Sequence, residues 1–203
     1  MKKGIIYVHG KGGNAEESNR YKTLFADCDV LGFDYNSLTP WQAQSEFSDY
    51  FDKVSKGYDE IEMIANSIGA YFTMVALFDK DISKAYFISP IVDMEKLIEN
   101  MMIRANVTEK ELELKKEIPT AVETLSWKYL CFVRNNPIKW NTPTHILYGE
   151  FDNLTSFETI NEFAKRTNAT LTVMKGGEHW FHTDEQTEFL DNWIKKYNRI
   201  GQD

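Results

Sequence analysis

The sequence predicts an α/β fold: a mostly parallel sheet of about six strands with helices on both faces. Three observations predict it. Short β-rich runs alternate with helix-length amphipathic runs, the order that parallel strand–helix–strand units produce. The strand runs are apolar without clean alternation, as expected where both faces of a sheet are covered. The chain has 203 residues, 42% hydrophobic and 27% charged, which suits one domain with a single large core.

The first strand is "GIIYVHG" (4–10), which ends in a glycine turn, and the second is "DVLGFDY" (29–35). Four more follow: "IEMIA" (61–65), "KAYFIS" (84–89), "THILYG" (144–149) and "TLTVMKG" (170–176). Helices are expected in "EESNRYKTLFA", "PWQAQSEFSDYFDKV", "SIGAYFTMVALF" and "TSFETINEFAKR", each with helical length and apolar spacing. Pro40 suits a first helical turn, with Thr39 or Ser37 as its cap. The last helix, "EQTEFLDNWIKKY", gathers Phe189, Leu190, Trp193, Ile194 and Tyr197 on one side. From Asp93 to Asn141 the rhythm breaks, with no strand signal and several helical runs. The expected organisation is one domain, 1–203, with a helical insertion at about 93–141. The segment from Val122 to Val133 places Val122, Leu125, Tyr129, Phe132 and Val133 at helical spacing.

Composition excludes several classes. Thirty-one acidic and 23 basic side chains give a net charge of -8, and no basic run offsets it, so nucleic acid is not an expected partner. Cys28 and Cys131 have neither CxxC nor Cys/His ligand spacing and read as buried free thiols, so no metal is expected. Lys2 and Lys3 precede an apolar run too short for a signal peptide. No stretch approaches the roughly 18 apolar residues of a membrane helix, and a cytoplasmic protein is the default expectation.

In an open α/β sheet, active groups collect in the loops at the carboxyl ends of the strands. The first strand delivers "HGKGGN" (9–14), the third "ANSIG" (65–69), the fifth "GEFDNLT" (149–155) and the sixth "GGEHWFH" (176–182). Serine, aspartate and histidine thus arrive in that order, each just past a strand. Taken singly, each has a plainer meaning. Ser67 could be a helix cap, and "HGKGG" a flexible turn that lacks the GxxxxGK[ST] spacing of a phosphate loop. His145, within a strand run, reads as packed and hydrogen-bonded. His182 rivals His179, Asp184 reads as the cap of the last helix, and Glu150 as facing elsewhere.

Together the four loops resemble an α/β-hydrolase along essentially the whole chain. That family's nucleophile elbow is G-x-S-x-G, and here it reads Ala65-Asn66-Ser67-Ile68-Gly69, with alanine at the first glycine position. Small residues are needed because the serine sits in a strained conformation and its neighbours two away press on adjacent chain. The resemblance implies Ser67 as nucleophile, His179 as base and Asp152 as acid, the last in a G-x-x-D-x-[LV]-like segment. It implies an oxyanion site made by the backbone N–H groups of Ile68 and Lys11, with His9 structural. It further implies that the insertion caps the site; the apolar face that carries Leu125 and Phe132 reads either as ordinary core packing or as the lining of an acyl pocket. The expected activity is cleavage of a small-molecule carboxylic ester with no metal or organic cofactor. The same triad also serves thioesters, amides and carbon–carbon bonds, and a non-catalytic binder on this fold is the rival reading.

Overall fold

A computed structural model describes residues 1–199. By internal contacts the chain divides into two compact units, Met1–Val92 with the chain from Lys139 onward, and Asp93–Ile138.

The first unit contains the sheet. Its strands are β1 (Lys3–Val8), β2 (Asp29–Phe33), β3 (Glu60–Asn66), β4 (Lys84–Ile88), β7 (Thr144–Gly149) and β8 (Thr170–Met174). They lie in the order β2-β1-β3-β4-β7-β8, and every adjacent pair is parallel. The direction of chain growth reverses between β1 and β3. In a sheet of this kind, that reversal opens a crevice at the carboxyl ends of the two strands.

Strand side chains alternate between the faces. Ile5, Tyr7, Ile64, Tyr86, Ile88 and Leu147 form one core with Leu190, Trp193, Ile194 and Tyr197 of α7 (Asp184–Arg199). Their alternates Ile6, Val8, Met63, Phe87 and Ile146 are equally buried. This is why the strands read as continuous apolar runs. The remaining helices of this unit are α1 (Pro40–Val54), α2 (Ile68–Ala76) and α6 (Phe157–Thr167). Helices α1 and α2 pack together, with Phe47 and Phe72 rings 6.0 Å apart.

Three local expectations change. The segment after β1 is a 3-10 helix, Ala15–Thr23, and not an α-helix. Asn14 caps it in a reciprocal box with Glu17, which fixes a tight start. Thr39 does occupy the N-cap of α1, but its hydroxyl bonds Gln42 Oε1 at 2.8 Å instead of a backbone N–H. At α7 the capping oxygen is Thr183 Oγ1, which accepts from Gln186 N–H at 3.2 Å, while Asp184 is already in the first turn.

The second unit holds α3 (Met94–Arg104), α4 (Glu109–Lys115), α5 (Trp127–Asn135) and two short strands. The strands, β5 (Glu117–Pro119) and β6 (Thr124–Ser126), pair antiparallel with Ile118 opposite Leu125. They correct the expectation of a strand-free insertion and of one helix from Val122 to Val133. Val122 lies exposed in the turn, Leu125 is on β6, and α5 begins at Trp127, capped by Ser126. Three-residue strands are too short to impose a period on the sequence. Arg134 ties this unit together, reaching Glu95 at 2.6 Å and Glu109 at 2.7 Å.

Cys28 and Cys131 are both free thiols, each half-buried. His145 is packed as expected, stacked on Tyr197 at 4.0 Å with Nδ1 at 2.6 Å from Thr170 Oγ1. Burial, then the charges of Lys84 and Lys196, push its imidazole down to about 4. An unfolded chain takes up that proton near pH 6.5, so this contribution to stability is lost as the pH falls from about 6.5 to about 4. Discounted for partial exposure, the loss is on the order of 1 kcal/mol by pH 5. Urea unfolding at pH 7 and pH 5 is expected to show a smaller acid loss for His145→Gln than for the wild type. Equal losses would remove His145 as their source.

Candidate active site

The site starts from backbone strain. Ser67 has φ 51° and ψ -120°, a conformation that a residue with a Cβ rarely adopts. Three hydrogen bonds hold it there. Its N–H donates to Ile88 O at 3.0 Å, and its carbonyl accepts from Ala70 at 3.2 Å and Ile91 at 3.2 Å. The motif's small residues have specific reasons. A Cβ on Gly69 would stand 2.3 Å from His9 O. Ala65 is fully buried, paired in register with Val8 and Phe87. The turn therefore lifts the Ser67 hydroxyl off the end of β3, and α2 begins at the next residue.

The second half of the site comes from the loops after β7 and β8. A Cβ on Gly149 would lie 2.4 Å from Glu178 O and 2.6 Å from Gly177 O, so only glycine lets the two loops touch. Phe151 N–H then donates to Gly177 O at 2.7 Å, joining them. Asp152, whose side chain is fully buried, accepts from the N–H groups of Leu154 (2.8 Å) and Thr155 (3.0 Å) through Oδ1. That leaves Oδ2 aimed at His179 Nδ1, 2.7 Å away. His179 Nε2 lies 2.8 Å from Ser67 Oγ. A hydroxyl, an imidazole and a buried carboxylate therefore form one line.

Beside this line is a cavity of about 650 Å³. The loop after β1, from Gly10 to Gly13, forms one wall, and Ile88, Leu154, Phe181 and Leu190 give it apolar surface. No family model and no curated protein matches the sequence. Solved structures do match in shape. Est1E from Butyrivibrio proteoclasticus is 17% identical, with a TM-score of 0.75 over 98% of this chain and 87% of that one. Mouse α/β hydrolase domain-containing protein 10 is 15% identical, with a TM-score of 0.77 over 97% and 90%. An esterase of Pyrococcus furiosus is 19% identical, with a TM-score of 0.63 over 98% and 81%. This chain has the α/β-hydrolase fold.

Within the α/β-hydrolase fold, the three residues expected from the sequence, Ser67, Asp152 and His179, come together. His182 does not join them: its Nδ1 lies 2.7 Å from Trp180 O, and its ring stacks on Trp180 at 4.5 Å. Glu150 turns away to accept from Gly176 N–H at 2.8 Å. His9 is buried, stacked on Tyr35 at 4.2 Å, with Nδ1 at 2.8 Å from Gly10 O. Lys11 lines the cavity, and Ile68 is the first residue of α2. Leu125 is buried on β6 and Phe132 half-buried on α5, both in the second unit.

Among the cavity residues that escaped the sequence reading are Tyr7, Glu17, Arg20 and Asn66. Asn66 stood in plain view as the spacer before Ser67. The Asn14–Glu17 capping pair was a readable signal for the second, since it fixes where that carboxylate lies. No helix among the described residues is long and apolar enough to cross a membrane.

Proposed function

We propose that this protein is a serine hydrolase that cleaves carboxylic esters through an acyl-serine intermediate. One observation carries the reading: the unbroken line from Ser67 Oγ to His179 Nε2 (2.8 Å) and from His179 Nδ1 to Asp152 Oδ2 (2.7 Å). A binder has no use for a strained serine held against an imidazole–carboxylate pair. The neighbours described as esterases support the same reaction class.

In the proposed reaction, Ser67 Oγ attacks the ester carbonyl carbon as His179 Nε2 takes its proton. The carbonyl π electrons move onto oxygen, where the N–H groups of Ile68 and Lys11 stabilise the charge. Ile68 opens α2, so its N–H lies at the positive end of that helix. Collapse breaks the bond to the alcohol oxygen, which receives the proton from His179. Water then repeats the sequence on the acyl-serine, with His179 again accepting and returning the proton, and releases the acid. Asp152 fixes the imidazole tautomer and stabilises its cationic form.

Fluorophosphonate labelling followed by peptide mapping tests this. The adduct is expected on Ser67, within "IANSIGAYFTMV" (64–75). Failure of the folded protein to label would overturn the reading. A panel of esters, thioesters and amides then ranks the bond types.

We further propose Leu125 and Phe132 as residues that line an acyl pocket. Each methylene packed against such a wall contributes about 0.8 kcal/mol, so losing a few contacts should change selectivity roughly 10- to 100-fold. Phe132→Ala is expected to lower the kcat/KM ratio of long to short esters by that factor. Leu125→Ala should act alike but also cost about 2–5 kcal/mol of stability, since Leu125 is buried. An unchanged ratio beside a lower Tm would end that assignment.

A further inference from the structure

The cavity beside Ser67 has a polar end that the proposed chemistry does not use. Tyr7 OH donates to Glu17 Oε2 and accepts from Asn66 Nδ2 at 2.8 Å. Asn66 is the residue before Ser67, so this hydrogen-bonded string starts at the nucleophile turn itself. Glu17 Oε1 accepts from Asn14 N–H at 3.4 Å. The loop makes room for the carboxylate: a Cβ on Gly13 would fall 2.5 Å from Glu17 Oε1. Gly12 beside it has φ 77°, a left-handed conformation natural to glycine. The glycine-rich turn therefore seats a carboxylate in the cavity wall, and it does so without a phosphate-binding spacing.

A count of donors and acceptors says what that carboxylate can take. Burial, reinforced by Tyr21 and Glu17, pushes the Tyr7 hydroxyl upward, so Tyr7 keeps its proton and acts as donor. Each Glu17 oxygen has two acceptor positions and spends one, on Tyr7 or on Asn14. One acceptor position per oxygen is left. The nearby guanidinium of Arg20 is engaged elsewhere, by Asp191 at 2.9 Å and by Thr187 O at 2.7 Å. Tyr21, Phe181 and Leu190 add apolar surface, and Lys11 lines the same cavity.

The geometry points to Glu17, positioned by Tyr7 and Gly13, as a specificity-determining residue that accepts a hydrogen bond from a hydroxyl or ammonium group on the bound ester. The substrate class is an ester bearing such a donor on the portion lodged in the cavity. This rests on the hydrolase reading above. Glu17 is exposed, so a donor missing from the substrate leaves the carboxylate to water, and a hydrogen bond to a charged group of this kind is worth roughly 10-fold in kcat/KM.

The test compares matched pairs that differ by one hydroxyl. In one pair the hydroxyl is on the acid: 4-nitrophenyl butanoate and 3-hydroxybutanoate. In the other it is on the alcohol: ethyl and 2-hydroxyethyl butanoate. The wild type is expected to favour the hydroxylated member of at least one pair by roughly 10-fold or more relative to Glu17→Gln. Because each pair is scored in both proteins, the intrinsic reactivity of the esters cancels. Glu17→Gln keeps an oxygen for the Asn14 cap but presents an amide donor to the cavity. Glu16→Gln removes the same charge one residue away and is expected to retain the preference. Tyr7→Phe should weaken it, since Glu17 then loses its anchor. If Glu17→Gln unfolds in a melting curve, Tyr7→Phe against Glu16→Gln gives the same comparison. Hydrolysis of both pairs with no preference altered by these changes would overturn the Glu17 subsite and leave the hydrolase reading standing. No hydrolysis of any ester, with Ser67 unlabelled by fluorophosphonate, would overturn both.

Discussion

Ser67→Ala is expected to abolish fluorophosphonate labelling and to cut ester turnover by about 10³- to 10⁶-fold, because the covalent route is lost. The fold should survive. Among the described residues the Ser67 side chain bonds only His179 Nε2, whereas the turn is held by its backbone bonds to Ile88, Ala70 and Ile91. Alanine keeps the Cβ and therefore the strain of φ 51°. Glycine occupies that region freely, so Ser67→Gly should be equally inactive yet about 1 kcal/mol more stable than Ser67→Ala. Turnover, labelling and a urea curve on both variants check this. Wild-type-like turnover in either variant would end the nucleophile assignment. A less stable glycine variant would show that the turn is not strained.

His179→Ala should match Ser67→Ala in its effect on kcat, because members of one catalytic unit do not contribute additively. The double variant should be little worse than either single one. His182→Ala should cost less than about tenfold. Its imidazole is 39% exposed and bonded to Trp180 O, so what it loses is a surface stacking contact. The two histidines are three residues apart on one loop, so the comparison holds local sequence nearly constant while changing what the ring touches. If His182→Ala were the severe variant and His179→Ala the mild one, the line read from Ser67 to Asp152 would not be the working one.

Much of this site is legible in the sequence. The succession of strands along the chain, the small residues flanking Ser67 and the arrival of Ser67, Asp152 and His179 each just past a strand are local features. Strand and elbow chemistry act through neighbours within a few residues, and such neighbours are printed next to each other in the chain. The choice between His179 and His182 was less accessible. It turned on Gly149, which lets the 176–179 loop press against the end of β7, a contact between segments some 30 residues apart.

The sequence by itself determined the α/β class, the two-sided burial of the strands and the set of residues from which a triad could be drawn. Periodicity and turn chemistry act over short range, so a single chain records them directly. Tertiary structure alone decided which oxygen, nitrogen and carboxylate meet at 2.7–2.8 Å. It alone placed Glu17 and Tyr7 in the cavity wall beside Ser67, 50 and 60 residues away in the chain. It also decided the short strands β5 and β6 and the late start of α5, where three-residue pairings leave no periodic trace. For the triad and the cavity wall the physical reason is the same. Parallel pairing brings strand ends together irrespective of their separation in sequence, and hydrogen-bond direction and steric clearance are fixed only once those ends are packed.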